Sequence, residues 1–111
     1  MPTMEEIRSA AQELGERYGV ERIYLFGSYA RGSAGSDSDI DLRIDKGRMR
    51  GLIQLAGLQL ALEDRLGKKV DLLPSDSLDE RFLNRIRGEE IMIYGAQGVY
   101  EQVLTANTKT P

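Results

Sequence analysis

The sequence predicts an α/β (α+β) domain in which one mixed β-sheet has helices packed against it. Three observations lead to this prediction. Segments with helical and strand periodicity alternate along the chain, no linker or internal repeat divides it, and its 111 residues are the length of one ordinary domain. The predicted domain covers residues 1–104, and residues 105–111 are a polar tail that we expect to be flexible.

The amino-terminal half predicts one helix, a glycine-containing turn and two strands. Thr3 and Glu6 form a capping box that starts an amphipathic helix over residues 4–18. Residues 22–26 are rich in β-branched and aromatic side chains, which predicts a buried strand. After a short helical turn and a loop, residues 39–45 alternate charged and apolar side chains, as a strand with one buried face does.

The carboxyl-terminal half predicts two more helices and two more strands. Helical spacing indicates a long helix over about residues 48–66. Its predicted inner face consists of Leu52, Leu55, Ala56, Leu62 and Leu66. A third, short strand ends at Pro74, and Ser77 with Glu80 is expected to form a capping box before another helix. Residues 91–94 predict the last strand.

The composition excludes several classes of chemistry and of partner. The chain contains neither Cys nor His, which excludes the usual zinc sites, thiol catalysis and the Ser-His-Asp triad. A formal net charge of −3 argues against a nucleic acid as partner. No apolar stretch approaches the roughly 20 residues that span a bilayer, and the amino terminus lacks a signal-peptide pattern. We therefore expect no membrane insertion and a cytoplasmic location.

Three aspartates are candidate metal ligands. Asp39 and Asp41 are two residues apart on a predicted strand, so their side chains point the same way from Cα atoms about 6.5 to 7 Å apart. Carboxylate oxygens so close together suit Mg²⁺ or Mn²⁺. An isolated Asp-x-Asp pair is, however, more often a solvated acidic face of a strand.

The third aspartate changes this balance. Asp71 lies between the core-type residues Val70 and Leu72, so its side chain is expected to leave the sheet on the face opposite the core. If its strand neighbours that of the first pair, three carboxylates gather on one surface. The alternative for Asp71 is an ordinary exposed residue at a strand edge.

A glycine turn after the first strand is the second candidate element. Gly27 allows a ligand to approach the backbone closely, and Ser28 offers a hydroxyl and backbone N–H groups to an anion. The spacing of Gly27 and Gly32 is that of a Walker A loop, but Ser33 and Ala34 follow where that loop requires Lys and then Ser or Thr. Arg31 has three open interpretations: it steadies a phosphate, caps the loop, or is a surface charge.

These segments together resemble a known signature. Residues 27–32, followed after five residues by residues 38–42, resemble the signature of the DNA polymerase beta-like nucleotidyltransferase superfamily, and the match is closest to its minimal nucleotidyltransferase (MNT) members. Residues 69–73 are similar to the third-aspartate strand of that family, and residues 91–94 to its closing strand. The resemblance covers most of the chain.

The resemblance implies roles for individual residues. Asp39 and Asp41 would bind two catalytic Mg²⁺ ions, and Asp71 would bind one of them and help to activate the acceptor hydroxyl. The distal phosphates of the ATP substrate would lie against Gly27 and Ser28. The residues implied in nucleotide binding are Gly27, Ser28, Arg31 and Ser38.

The resemblance also implies a partner. MNT proteins of this size resemble the antitoxin halves of HEPN/MNT toxin–antitoxin pairs, in which the MNT protein transfers AMP to a tyrosine of the HEPN ribonuclease. The expected function is therefore AMP transfer from ATP to a hydroxyl of a HEPN toxin, within an oligomeric complex. The alternative is a binding module that neutralises its partner by contact without catalysis, and the three intact carboxylates argue against it.

Overall fold

The structure is a computed structural model, which describes residues 1–95. The predicted domain end at residue 104 and the predicted tail at residues 105–111 lie outside these residues. The elements follow in the order α1 (Met4–Tyr18), β1 (Arg22–Phe26), α2 (Ser28–Arg31), β2 (Ile40–Asp45), α3 (Gly51–Leu66), β3 (Val70–Pro74), α4 (Glu80–Arg87) and β4 (Ile91–Gly95). No helix within this part of the chain has the length and apolar character needed to cross a membrane.

The four strands form one mixed sheet in the order β3-β2-β1-β4. Strand β1 is antiparallel to both β2 and β4, whereas β2 and β3 are parallel. A parallel pair requires a crossover connection, and α3 provides it. The predicted fold class, a mixed sheet with helices packed on it, is confirmed.

One face of the sheet forms the core with α1 and α3. Six strand residues on this face have no accessible surface, namely Ile23, Leu25, Ile40, Leu42, Ile44 and Val70. Burying each such side chain stabilises the fold by about 1.5 to 3 kcal/mol. The strict alternation along β2 leaves Asp41, Arg43 and Asp45 on the opposite face, which is the pattern predicted from the sequence.

The long helix differs from its prediction. Helix α3 begins at Gly51 rather than near residue 48, and Leu52 is 80% exposed instead of lying on the inner face. Ala56 is also exposed, whereas Leu58 and Leu62 are completely buried. Because α3 carries leucine, isoleucine or alanine on almost every side, helical spacing alone could not identify the face that packs on the sheet.

The two predicted capping boxes have different outcomes. The Thr3–Glu6 box is confirmed, with both reciprocal hydrogen bonds present. The predicted second box is wrong, because Asp79 is the N-cap of α4 and accepts a hydrogen bond from the Phe82 N–H at 2.8 Å. The Ser77 hydroxyl instead donates to the Pro74 carbonyl, in a short 3₁₀ turn that follows β3.

Candidate active site

The parallel pairing of β2 and β3 places two of the predicted aspartates directly opposite each other. Asp41 pairs with Asp71 in the register of the two strands, and with Phe26 of β1 on its other side. Asp39 immediately precedes β2 and is separated from Asp41 by Ile40 alone. The condition set for Asp71 in the sequence analysis, that its strand is a neighbour of β2, is thus met.

The Asp41 carboxyl lies in an environment that disfavours its negative charge. Its pKa is raised from 3.8 to about 6, first by burial, then by the charge of Asp71 and a hydrogen bond to it, and further by Asp39. Arg31 acts in the opposite direction but does not cancel these effects on the pKa. A carboxylate that is buried against like charge is stabilised by a nearby cation.

The donor set fits a hard divalent cation. The Lys69 ammonium lies 4.0 Å from a carboxylate oxygen of Asp39 and 3.9 Å from one of Asp71, so a positive charge is already attracted to this surface. Lys69 is 64% exposed, and such a pair contributes little to stability. Within residues 1–95 no group of three or more Asp or Glu side chains is arranged so that together they could hold a metal ion. Mg²⁺ commonly takes only one or two protein carboxylates and leaves its other positions to water and phosphate, so the fit is to Mg²⁺.

The glycine turn is in direct contact with Asp41. Gly27 has φ +79°, a conformation that favours glycine, and a Cβ atom at this position would overlap with Oδ2 of Asp41. Two independent constraints therefore require glycine here. The short helix α2 follows from Ser28, and its backbone is held to the turn by the Arg31 N–H, which donates to the Gly27 carbonyl at 3.0 Å.

A glutamate from the far end of the sequence binds the same turn. Glu89, between α4 and β4, accepts a hydrogen bond from the Gly27 N–H at 2.8 Å. The same carboxylate accepts from Nη1 of Arg31 at 3.1 and 3.3 Å. The hydrogen bond from Gly27, and then the guanidinium of Arg31, lower the pKa of Glu89. The structure thus shows Arg31 in an ion pair that ties the turn to Glu89, and its role in steadying a phosphate stays a prediction.

An open cavity of about 470 Å³ lies over the turn. This volume is within the range of about 300 to 1,000 Å³ that is typical of small-molecule sites. Its lining residues are Phe26, Gly27, Ser28, Arg31, Asp41, Phe82, Arg85, Ile86 and Glu89. The cavity therefore brings together four of the predicted site residues.

Three predicted residues do not line this cavity. Asp39 and Asp71 lie beside it, on the surface that carries Asp41. The Ser38 hydroxyl accepts a hydrogen bond from the Gly35 N–H at 2.8 Å, and so shapes the loop that leads into β2. The role of Ser38 in nucleotide binding stays a prediction.

One wall of the cavity was not predicted from the sequence. It comes from α4, where the Phe82 ring packs edge to face on Phe26 with the centroids 5.9 Å apart, and the Arg85 guanidinium lies 5.1 Å from the centre of the Phe82 ring. The apolar spacing of α4 indicated that one of its faces is buried. It carried no signal that this face would cover the glycine turn, and none for Glu89.

Comparison with known proteins agrees with the geometry. Residues 7–94 match the family model of the nucleotidyltransferase domain. The protein adenylyltransferase MntA of Thermococcus cleftensis is 38% identical over 97 residues, which cover 84% of this chain and 98% of the relative. A solved structure provisionally described as a minimal nucleotidyltransferase is 39% identical, with a TM-score of 0.71 over 79% of this chain and 90% of its own. An MNT antitoxin in complex with a tri-AMPylated HEPN toxin of Shewanella oneidensis has the same fold, with a TM-score of 0.65, 19% identity and coverage of 95% and 92%.

Proposed function

We propose that this chain, which belongs to the nucleotidyltransferase domain family, transfers AMP from ATP to a hydroxyl group, expected to be that of a tyrosine, on a HEPN-type toxin. The nucleotidyltransferase class predicted from the sequence is confirmed by the family match over residues 7–94. One observation above all supports the finer proposal: the sheet register sets Asp41 opposite Asp71, while Asp41 also contacts the Gly27 turn. A metal-binding surface and a phosphate-binding turn therefore share one carboxylate.

One set of residues would bind the nucleotide and another would bind the metal. Gly27, Ser28 and Arg31 line the cavity and supply N–H and hydroxyl donors for the phosphates of ATP. Asp39, Asp41 and Asp71 would hold Mg²⁺, which when bound offsets the charge of the triphosphate and lowers the pKa of the acceptor hydroxyl. The acceptor oxygen attacks the α-phosphorus, the bond from this phosphorus to the bridging oxygen breaks, and pyrophosphate leaves.

The acceptor proton also needs a destination. Asp71 is half-exposed on the edge strand of the described sheet, at the side from which an acceptor can approach Asp41. We assign to its carboxylate the activation of the acceptor hydroxyl, whose proton it would accept, in addition to metal binding. Asp41 is more deeply enclosed between Phe26 and Asp71, a position that suits a ligand shared by metal and nucleotide.

The choice of a protein acceptor rests on the relatives and on charge. The relative at 38% identity is named a protein adenylyltransferase, and one structural neighbour is an MNT antitoxin bound to an AMPylated HEPN toxin. The net charge of −3 disfavours RNA as the acceptor. A cytoplasmic location is part of this proposal, because the toxin acts on RNA in the resemblance that motivates it.

The test uses the chain, ATP, Mg²⁺ and a purified HEPN partner, followed by the intact mass of the partner. We expect a gain of one or more AMP groups, lost with Asp41→Asn and kept with Asp64→Asn, an exposed charge-matched control on α3. Peptide mapping then identifies the modified side chain. Protection from the toxin without any mass change, equally strong with Asp41→Asn, would instead establish the binding module.

A further inference from the structure

The Glu89 carboxylate uses the donors that a phosphate would need. It accepts hydrogen bonds from the Gly27 N–H and from Arg31, and it lines the same cavity as Ser28 and Asp41. A backbone N–H donates one strong hydrogen bond at a time, so a phosphate oxygen and this carboxylate cannot both have the one from Gly27. Two anions sharing one site also repel each other.

We propose that Glu89 is an internal competitor for the phosphate-binding turn, whose carboxylate leaves Gly27 and Arg31 when the triphosphate binds and returns when pyrophosphate departs. This inference rests on the proposed function, because it concerns the same cavity. It assigns to Glu89 a role in positioning the Gly27 turn that no pattern in the sequence indicated. The carboxylate keeps the turn in its binding conformation and limits how tightly the turn holds an anion.

The surroundings of Glu89 suit a side chain that moves while its backbone stays. The next residue, Glu90, is held by Arg43 through hydrogen bonds of 2.6 and 2.9 Å, and the Glu90 side chain is only 7% exposed. The Glu89 side chain is 25% exposed and that of its partner Arg31 is 53% exposed, so both side chains can rotate into solvent. The fixed backbone keeps the displaced carboxylate close to the turn, at a high effective concentration.

The competitor has a kinetic consequence for turnover. Pyrophosphate is a highly charged product that the Gly27 N–H and Arg31 would otherwise retain. A carboxylate that competes for the same donors weakens the binding of both triphosphate and pyrophosphate, since both present phosphate oxygens there. The expected signature is therefore a joint change in the two affinities.

The test compares Glu89→Gln with the wild type and with Glu80→Gln, a charge-matched control on the exposed side of α4. Calorimetry measures the binding of ATP with Mg²⁺ and of pyrophosphate with Mg²⁺, and thermal melting measures stability without ligand. We expect Glu89→Gln to bind both ligands about fivefold to tenfold tighter, because the neutral amide competes less well for charged donors. It should nevertheless melt at a lower temperature, whereas Glu80→Gln should bind within about twofold of the wild type.

A gain in ligand affinity together with a loss of thermal stability in Glu89→Gln distinguishes a competitor from a residue that only supports the turn. If Glu89→Gln binds ATP equally or more weakly while the wild type binds normally, Glu89 only supports the turn, and the inference fails while the proposed function stands. If neither protein binds ATP with Mg²⁺, the proposed function and the inference both fail. The amide NMR signal of Gly27 provides a second measure. The Glu89→Gln substitution should shift it, and so should saturating pyrophosphate added to the wild type; no shift in either case would overturn the inference.

Discussion

Asp41 and Arg43 lie two residues apart on the same face of β2, yet their surroundings are opposite in character. Arg43 stacks over the Tyr24 ring at 4.0 Å and makes a two-pronged pair with Glu90. That pair raises the pKa of Arg43, so the charged form is favoured, whereas burial and Asp71 raise the pKa of Asp41, so the charged form is disfavoured. One half of this face thus stabilises the fold, whereas the other half carries a carboxylate whose negative charge a bound cation would stabilise.

The largest expected effect concerns the half of the face that contains Asp41. Asp41→Asn should reduce AMP transfer by at least about 1,000-fold, because it removes a carboxylate shared by the proposed metal-binding surface and the glycine turn. The initial rate of partner modification, followed by intact mass, measures this loss. Asp45→Asn on the same strand face is a matched control, and a comparable loss in that variant would mean that β2 was merely disrupted.

The next effect tests the paired half. Arg43→Met should lower the free energy of unfolding by about 3 kcal/mol, because it leaves the buried Glu90 carboxylate without its partner. Denaturant titration measures the change. The double variant Arg43→Met/Glu90→Gln should recover part of the loss, because the unpaired charge is gone. No recovery would show that the packing of Arg43 on Tyr24, rather than the ion pair, stabilises this half.

The third effect separates Asp71 from Asp41. Asp71→Asn should lower turnover by about 100-fold while changing ATP affinity by less than about threefold, because the proposed function assigns Asp71 to the acceptor side. Single-turnover kinetics measures the rate of transfer, and calorimetry measures the affinity for ATP. Equal losses in both would make Asp71 an ordinary metal ligand, and no loss in either would make it the exposed strand residue that the sequence left open.

The smallest effect is on stability and depends on pH. Because the pKa of Asp41 is raised from 3.8 to about 6, the folded chain binds a proton more tightly than the unfolded chain, and its stability falls as pH rises through this interval. Asp41→Asn should therefore melt a few degrees above the wild type at neutral pH, with the difference vanishing below about pH 4. Melting curves across this range test the assignment, which a pH-independent difference would contradict.

Strand β2 shows why part of the fold and of the candidate site could be predicted from the sequence. A period of two in β2 and a period of about 3.6 in α1 are local patterns, so they correctly indicated which face of each element is buried. The same alternation in two short segments predicted that Asp41 and Asp71 leave the sheet on the face opposite the core, but not that their strands are neighbours. Their predicted roles as metal ligands remain predictions, because burial and register do not reveal what binds.

Other features depend on partners that are distant along the chain. The hydrogen bond from Gly27 to Glu89 joins residues 62 apart, and the pairing of Arg43 with Glu90 spans 47. No periodicity identifies such partners, because they depend on how α4 and β4 pack against β1 and β2 in three dimensions. The misplaced N-cap of α4 has a local cause: Ser77 and Asp79 are both good capping residues, and the turn after Pro74 uses the serine.

The parallel pairing of β2 and β3 also sets an order of assembly. The signature over residues 27–42 is local in sequence, but Asp71 reaches Asp41 only after the 16-residue helix α3 has crossed over the sheet. Contacts of long sequence separation form late, because a long loop must close before they are made. A chain emerging from the ribosome thus presents the complete signature before it has a complete site, and we expect its catalytic competence to appear only with the last stages of folding.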